Sequence, residues 1–167
     1  KVWIFDNGSY GYAAGEMTYA DPSTTVEWNN WSANWDPGVG HTADDAIWES
    51  TMTFGLKGGA NVTVYNSSSK ETASGTFMLN TSNHTITFTD CGLLHTPSWS
   101  DRSTNWSRDL KLLELDENHM RIGVMRDNSE GPWWLIWNFV SKEYADNYVP
   151  EDKPDPEPAL PDGWEDM

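Results

Sequence analysis

Cationic side chains are scarce in this 167-residue chain: 10 Lys and Arg face 26 Asp and Glu, a formal net charge of −16. That balance argues against sequence-independent nucleic-acid binding, which needs clustered cations to neutralise phosphates, and disfavours anionic membrane surfaces for the same reason. A single cysteine, Cys91, excludes an internal disulfide and any cysteine-based zinc cage, and reads as a buried small residue at a strand end. No apolar run approaches the roughly 20 residues that a membrane-crossing helix requires. Four histidines, His41, His84, His95 and His119, show no pairing at metal-ligand spacing. The phosphate-binding glycine loop and the Gly-x-Ser-x-Gly elbow are both missing, which removes the signatures of nucleotide and serine-hydrolase chemistry. Hard oxygen ligands do occur, at Asp44-Asp45 and along Asp6-Asn7-Gly8-Ser9. No cofactor is expected; a structural calcium ion is the one exception these runs could hold, although neither has the spaced calcium-loop pattern.

Aromatic residues are in surplus, with 11 Trp, 6 Tyr and 5 Phe. One small core does not easily absorb so many indoles, so some are expected to contact a partner. The composition breaks near Pro150, where residues 150–161 carry five of the nine prolines. Residues 150–167 hold a net charge of −6 and read as an extended, solvated linker leading to a following domain opened by Gly163-Trp164. The body, residues 1–149, is expected to be one domain.

Its dominant period is two. Candidate strands are Val2–Asp6, Trp48–Lys57, Asn61–Tyr65, Gly75–Leu79, Thr85–Asp90, Leu110–Asp116, Met120–Arg126 and Trp133–Val140. Turn residues such as Gly58-Gly59 and Asp116-Glu117-Asn118 separate them at hairpin distances. The last three strands read as a meander. An all-β fold is expected, foremost a two-sheet antiparallel sandwich of jelly-roll type, with a lipocalin-like barrel as the alternative. Gly8–Asn34 and Leu94–Ser107 lack alternation and are expected to be the long loops, where function usually resides.

Both loops are rich in Trp. Trp28, Trp31 and Trp35 stand among Asn, Ser and Pro, and either form a short amphipathic turn or an aromatic platform. Trp99, Asp101, Arg102, Asn105 and Trp106 combine indoles with hydroxyl-binding side chains, or else form a structural loop with a surface ion pair. An indole face suits the C–H face of a pyranose, while Asn, Asp and Arg pair with hydroxyls, so these eight residues are the candidate ligand-binding set. Glu114-Leu115-Asp116 resembles the catalytic strand of retaining jelly-roll glycosidases, but His119 stands where the third carboxylate should fall. The expected function is therefore a non-catalytic carbohydrate-binding module for a neutral glycan. The alternatives are a structural or protein-interaction spacer and, third, a glycoside hydrolase using Glu114, Asp116 or Asp101.

The Lys1–Asp6 strand, the loop after it, the Trp28–Trp35 stretch and Asp44-Asp45 before the Trp48–Phe54 strand together resemble β-sandwich modules of surface lipoproteins from bacterial polysaccharide-utilisation systems. The resemblance covers roughly residues 1–149. It implies a polysaccharide or oligosaccharide partner, adjoining domains on the same polypeptide, and a cell-surface, extracellular or periplasmic location without direct membrane insertion.

Overall fold

The computed structural model describes residues 1–12, 14–43 and 46–150. Eleven strands are found among them: β1 (Val2–Phe5), β2 (Met17–Ala20), β3 (Val26–Glu27), β4 (Asn30–Trp31), β5 (Thr51–Gly55), β6 (Asn61–Asn66), β7 (Glu71–Asn80), β8 (Thr85–Thr89), β9 (Leu110–Leu115), β10 (His119–Met125) and β11 (Trp134–Ser141). A short 3-10 helix (Pro97–Arg102) precedes β9, and helix α1 (Lys142–Asn147), capped by Ser141, follows β11.

The strands do not split into two sheets. β5 to β11 follow one another as an antiparallel meander, and β1 pairs with β5 on one side and β11 on the other, which closes an eight-strand barrel. The expected two-sheet jelly-roll sandwich is thereby corrected to the lipocalin-like alternative. The physical reason is that alternation fixes which side chains face inward and not whether the first strand closes on the last. Here Trp3, Ile4 and Phe5 pair with Ser141, Val140 and Phe139, leaving no open edge at that seam.

β2 lies outside the ring, pairing with β11 on one side and bridged from Tyr19 to Trp35 on the other, yet it continues the line of β1. The Asp6 amide donates to the Asn138 carbonyl, the Asn138 amide donates to the Glu16 carbonyl, and Met17 then pairs with Trp137. Residues 7–16 are thus an excursion from a single line of pairing. The in–out alternation is preserved across it: Trp3, Phe5, Met17 and Tyr19 point into the main core, while Ala20 joins the outer cluster. Buried Glu16 accepts hydrogen bonds from the Gly40 and Thr42 amides and the Thr42 hydroxyl, which ties the later loop to the base of the excursion.

The barrel interior is filled by apolar side chains including Trp137, Phe139, Met52, Ile86, Leu135 and Ile122. Gly75 marks a close approach of β7 to the chain after β8, since a Cβ there would sit 1.9 Å from the Thr89 carbonyl oxygen and 2.9 Å from Cys91 Sγ. Gly75→Ala is expected to lower stability by at least the roughly 1–3 kcal/mol typical of overpacking, seen as a lowered urea midpoint with unchanged m-value. A smaller cluster of Ala20, Val26, Leu113 and Ile136 lies on the outer face, roofed by Trp31 and Trp134. The β3–β4 hairpin lies over it, anchored by the Asn29 amide donating to the Leu113 carbonyl and by Lys111 Nζ donating to the Val26 carbonyl.

All eight expected strands are present. The Gly8–Asn34 segment, expected as a loop, also contains β2 and the β3–β4 hairpin, which are too short to display a period. The Asp116-Glu117-Asn118 turn forms as expected, with the Asn118 and His119 amides donating to Asp116 Oδ1. Pro150 closes the described body, and the expected linker beyond it lies outside the described residues, as do Asp44 and Asp45.

Candidate functional site

On the outer wall of the barrel, the strand register sets four polar side chains in a row. Glu114 on β9 pairs with Arg121 on β10, Arg121 pairs with Asn138 on β11, and Asn138 is bonded through its backbone to Asp6 at the end of β1. Neighbours on adjacent strands share one face, so a lone cation stands in line with two carboxyls and an amide. The 7–16 excursion and the β3–β4 hairpin cover the row, and Asp6 and Asn138 are fully buried.

Arg121 is held between two rings. Its guanidinium carbon lies 3.7 Å from the Tyr12 ring centre and 4.4 Å from that of Trp31. Its Nε lies 3.4 Å from Glu114 Oε2, which also accepts the Tyr12 hydroxyl. His119 stacks on the Tyr12 ring at 4.2 Å, and Tyr144 of α1 packs on His119 edge-on. Burial is the main influence on each charge. It pushes Asp6 up to about 7, against the lowering effects of the Gly8 amide and Arg121, and brings Arg121 down to about 10, against the opposing pull of Asp6. Glu114 is also raised, by burial first and by Asp116 second.

Five buried side-chain polar atoms lack a hydrogen-bond partner among the described residues, and four belong to this region: Asp6 Oδ2, Asn138 Oδ1, Arg121 Nε and His119 Nε2. Native interiors leave few such groups, and they concentrate here rather than being scattered. Only the Glu114 and Arg121 end of the row reaches a cavity of about 370 Å³, bounded also by Tyr12, Asn29, Trp31, Ser32 and Ala33. One indole wall, an amide, a hydroxyl, a carboxylate and a guanidinium thus converge on a space of small-ligand size.

Of the eight expected site residues, Trp31 alone borders this cavity. Trp28, on the same hairpin, instead stacks on His84 at 4.7 Å beside a separate small cavity. Trp35 is 54% exposed and stacks on Tyr19 at 4.8 Å. The two Trp-rich loops are linked indirectly, Trp35 from one and Trp99 from the other packing on the same pair of rings, Tyr19 and His41.

Trp99 itself is 7% exposed and packs into the core against Trp137, with Arg102 over its ring. Arg102 is held by Asp101 at 2.6 Å and Glu130 at 3.5 Å. Asn105 shapes its own turn, its side-chain oxygen accepting the Ser107 and Arg108 amides and its Nδ2 donating to the Arg108 carbonyl. Trp106 stacks on His95 at 3.6 Å and donates its indole N–H to the Ser100 and Ser103 carbonyls. Burial lowers His95 to about 4, so it packs as a neutral ring. The second loop therefore spends its aromatic and polar groups on closing the barrel end.

Sequence reading did not single out Tyr12, Asn29, Ser32 or Arg121 as site residues. The available signal was Arg121, a single cation between Met120 and Ile122 on an otherwise apolar strand. Among the described residues no cluster of three or more His, Cys, Asp or Glu could hold a metal ion, and no helix is long and apolar enough to cross a membrane. Of the calcium-directed runs, Asp6 Oδ1 accepts the Gly8 amide and Asn7 Oδ1 accepts the Ser9 amide, forming local turns. In comparisons with known proteins, no protein-family model and no curated protein matches this chain.

Proposed function

We propose that this domain is a non-catalytic carbohydrate-binding module and that its sugar site is the cavity walled by Trp31 and backed by Arg121. The observation that carries this reading is the convergence on one space of the Trp31 indole with Asn29, Ser32, Glu114 and Arg121. A pyranose offers C–H groups to an indole and hydroxyls that both donate and accept, and this set matches those demands. Arg121 lies between Asp6 and Glu114, so the site carries no surplus positive charge, and a neutral glycan fits better than a polyanionic one.

Glu114 is held by Tyr12 and Arg121, and the neighbouring Asp116 is bound to its own turn, so among the described residues lining the cavity no second carboxylate faces Glu114. Binding rather than hydrolysis is accordingly proposed. A surface location and neighbouring domains belong to the same proposal, on the strength of the resemblance described above.

The test is retention in affinity gels containing neutral plant, fungal or host polysaccharides, after a glycan array has chosen the polysaccharide. Trp31→Ala is expected to weaken retention about tenfold, in keeping with roughly 0.5–1.5 kcal/mol of ring contact beyond buried area. Trp35→Ala, at a different surface, is expected to leave it within about twofold. Ser32→Ala, an exposed and structurally mild change, serves as the second variant should Trp31→Ala loosen the hairpin. Equal retention of all three variants and the parent would reject the site.

A further inference from the structure

The two ends of the barrel are closed differently. At one end the segments 46–50 and 91–109 bring Ile47, Leu93, Leu94 and Trp99 into the main core, and Trp106 packs against it. At the other end, where β5, β7 and β9 finish and β6, β8 and β10 begin, no comparable plug is present among the described residues. A cavity of about 480 Å³ opens there, walled by Phe54, Phe77, Ile86, Leu115 and Met120. Trp3 also lines it. Its rim carries Leu56, 78% exposed, and Leu79, 42% exposed.

Apolar surface of this kind is seldom left to water without a ligand or partner. The volume lies in the small-ligand range and the shape is concave, whereas a protein partner is more commonly met by a broad flat patch. Of the residues lining the cavity, Lys1 alone bears a charged side chain. Its Nζ lies 5.6 Å from the Trp3 ring centre, and among the described residues no carboxylate pairs with it.

The geometry points to a second binding site at this barrel mouth, for a medium-length aliphatic carboxylate whose chain fills the cavity and whose head group meets Lys1 Nζ. The chain gains by leaving water along rings and branched side chains, and a single anionic end is the only charge the rim complements. The site is on the inner face of the barrel, separate from the Trp31 cavity on its outer wall, and stands independently of the glycan reading.

The probe is decanoate displacing anilinonaphthalenesulfonate from the full 167-residue chain, followed by dye fluorescence. Decanoate is expected to displace the dye with one-to-one stoichiometry, and Leu79→Glu, at the partly exposed rim, to weaken this at least tenfold with an unchanged near-ultraviolet circular dichroism spectrum. Lys1→Ala is expected to weaken decanoate several-fold and leave decanol unaffected. Should Leu79→Glu perturb the fold, Leu56→Glu at the more exposed rim position replaces it. Absence of displacement, or displacement unchanged by a folded rim variant, would overturn the site. Sedimentation of the parent as a dimer that the rim variant converts to monomer would also overturn it, by showing that a second copy covers the mouth. Decanol binding as tightly as decanoate to the parent would overturn the assignment of an anionic ligand.

Discussion

Arg121→Ala is expected to destabilise the domain by about 1–3 kcal/mol, between the worth of an exposed ion pair and that of a fully buried one, because Glu114 is still partly exposed. Three supports are lost together. Asp6 loses its only described cationic influence, Glu114 loses its ion pair, and Tyr12 and Trp31 lose the plane between them. Urea unfolding of the parent and variant, compared at one pH by midpoint and slope, gives the number directly. Arg121→Lys keeps the charge but not the flat, forked guanidinium, and is expected to recover only part of the loss. Because the guanidinium also holds the Trp31 wall, glycan retention is expected to fall with Arg121→Lys even where the protein remains folded. A loss within about 1 kcal/mol for Arg121→Ala would mean that the polar row is solvated rather than structural, and would remove the pre-organisation argued for the cavity.

The second large effect is a pH dependence centred on Asp6. In the unfolded chain this carboxyl ionises near 3.9, whereas in the fold it is held up to about 7, chiefly by burial. Between those values the folded state keeps a proton that the unfolded state has released. Stability is therefore expected to fall as pH rises from about 4 to about 7, and to carry the full penalty above that. At about 1.4 kcal/mol per pKa unit the whole effect amounts to about 4 kcal/mol.

Burial explains why the neutral acid is favoured, since the ionised carboxyl would be held out of water with its Oδ2 unpartnered. The groups acting on Asp6 are the Gly8 amide and Arg121, which lower it, and Asp36, which raises it. His95 contributes with the opposite sign. Its folded value lies near 4, below the ordinary 6.5, so its share of stability is lost as pH falls through that interval. The difference between the parent and Asp6→Asn cancels the His95 contribution. Asp6→Asn is expected to gain on the parent between pH 5 and 8 in urea midpoint measurements, because its amide has no charge to desolvate. Parallel stability profiles for the two proteins would show that Asp6 titrates at an ordinary value.

The sequence by itself determined the strands that carry the domain, because period two in runs such as Thr85–Thr89 requires only that one face be buried. It determined the hairpin turn at Asp116, whose side chain accepts the Asn118 and His119 amides. It also put Trp31 among eight candidate contact residues, and Trp31 borders the outer cavity. Closure of the barrel was decided only in three dimensions, since pairing between Trp3 and Ser141 spans nearly the whole domain and leaves no local trace. The same holds for the sorting of the indoles. Trp31, Trp99 and Trp106 sit in similar polar contexts along the chain, but one borders a cavity, one is core, and one is committed to His95 and two backbone carbonyls. Arg121 became part of a polar row because β9, β10, β11 and β1 lie side by side in register, which places Glu114, Asn138 and Asp6 beside it from distant parts of the chain. Local pattern reports the face on which a side chain lies, and only strand register reports its neighbours.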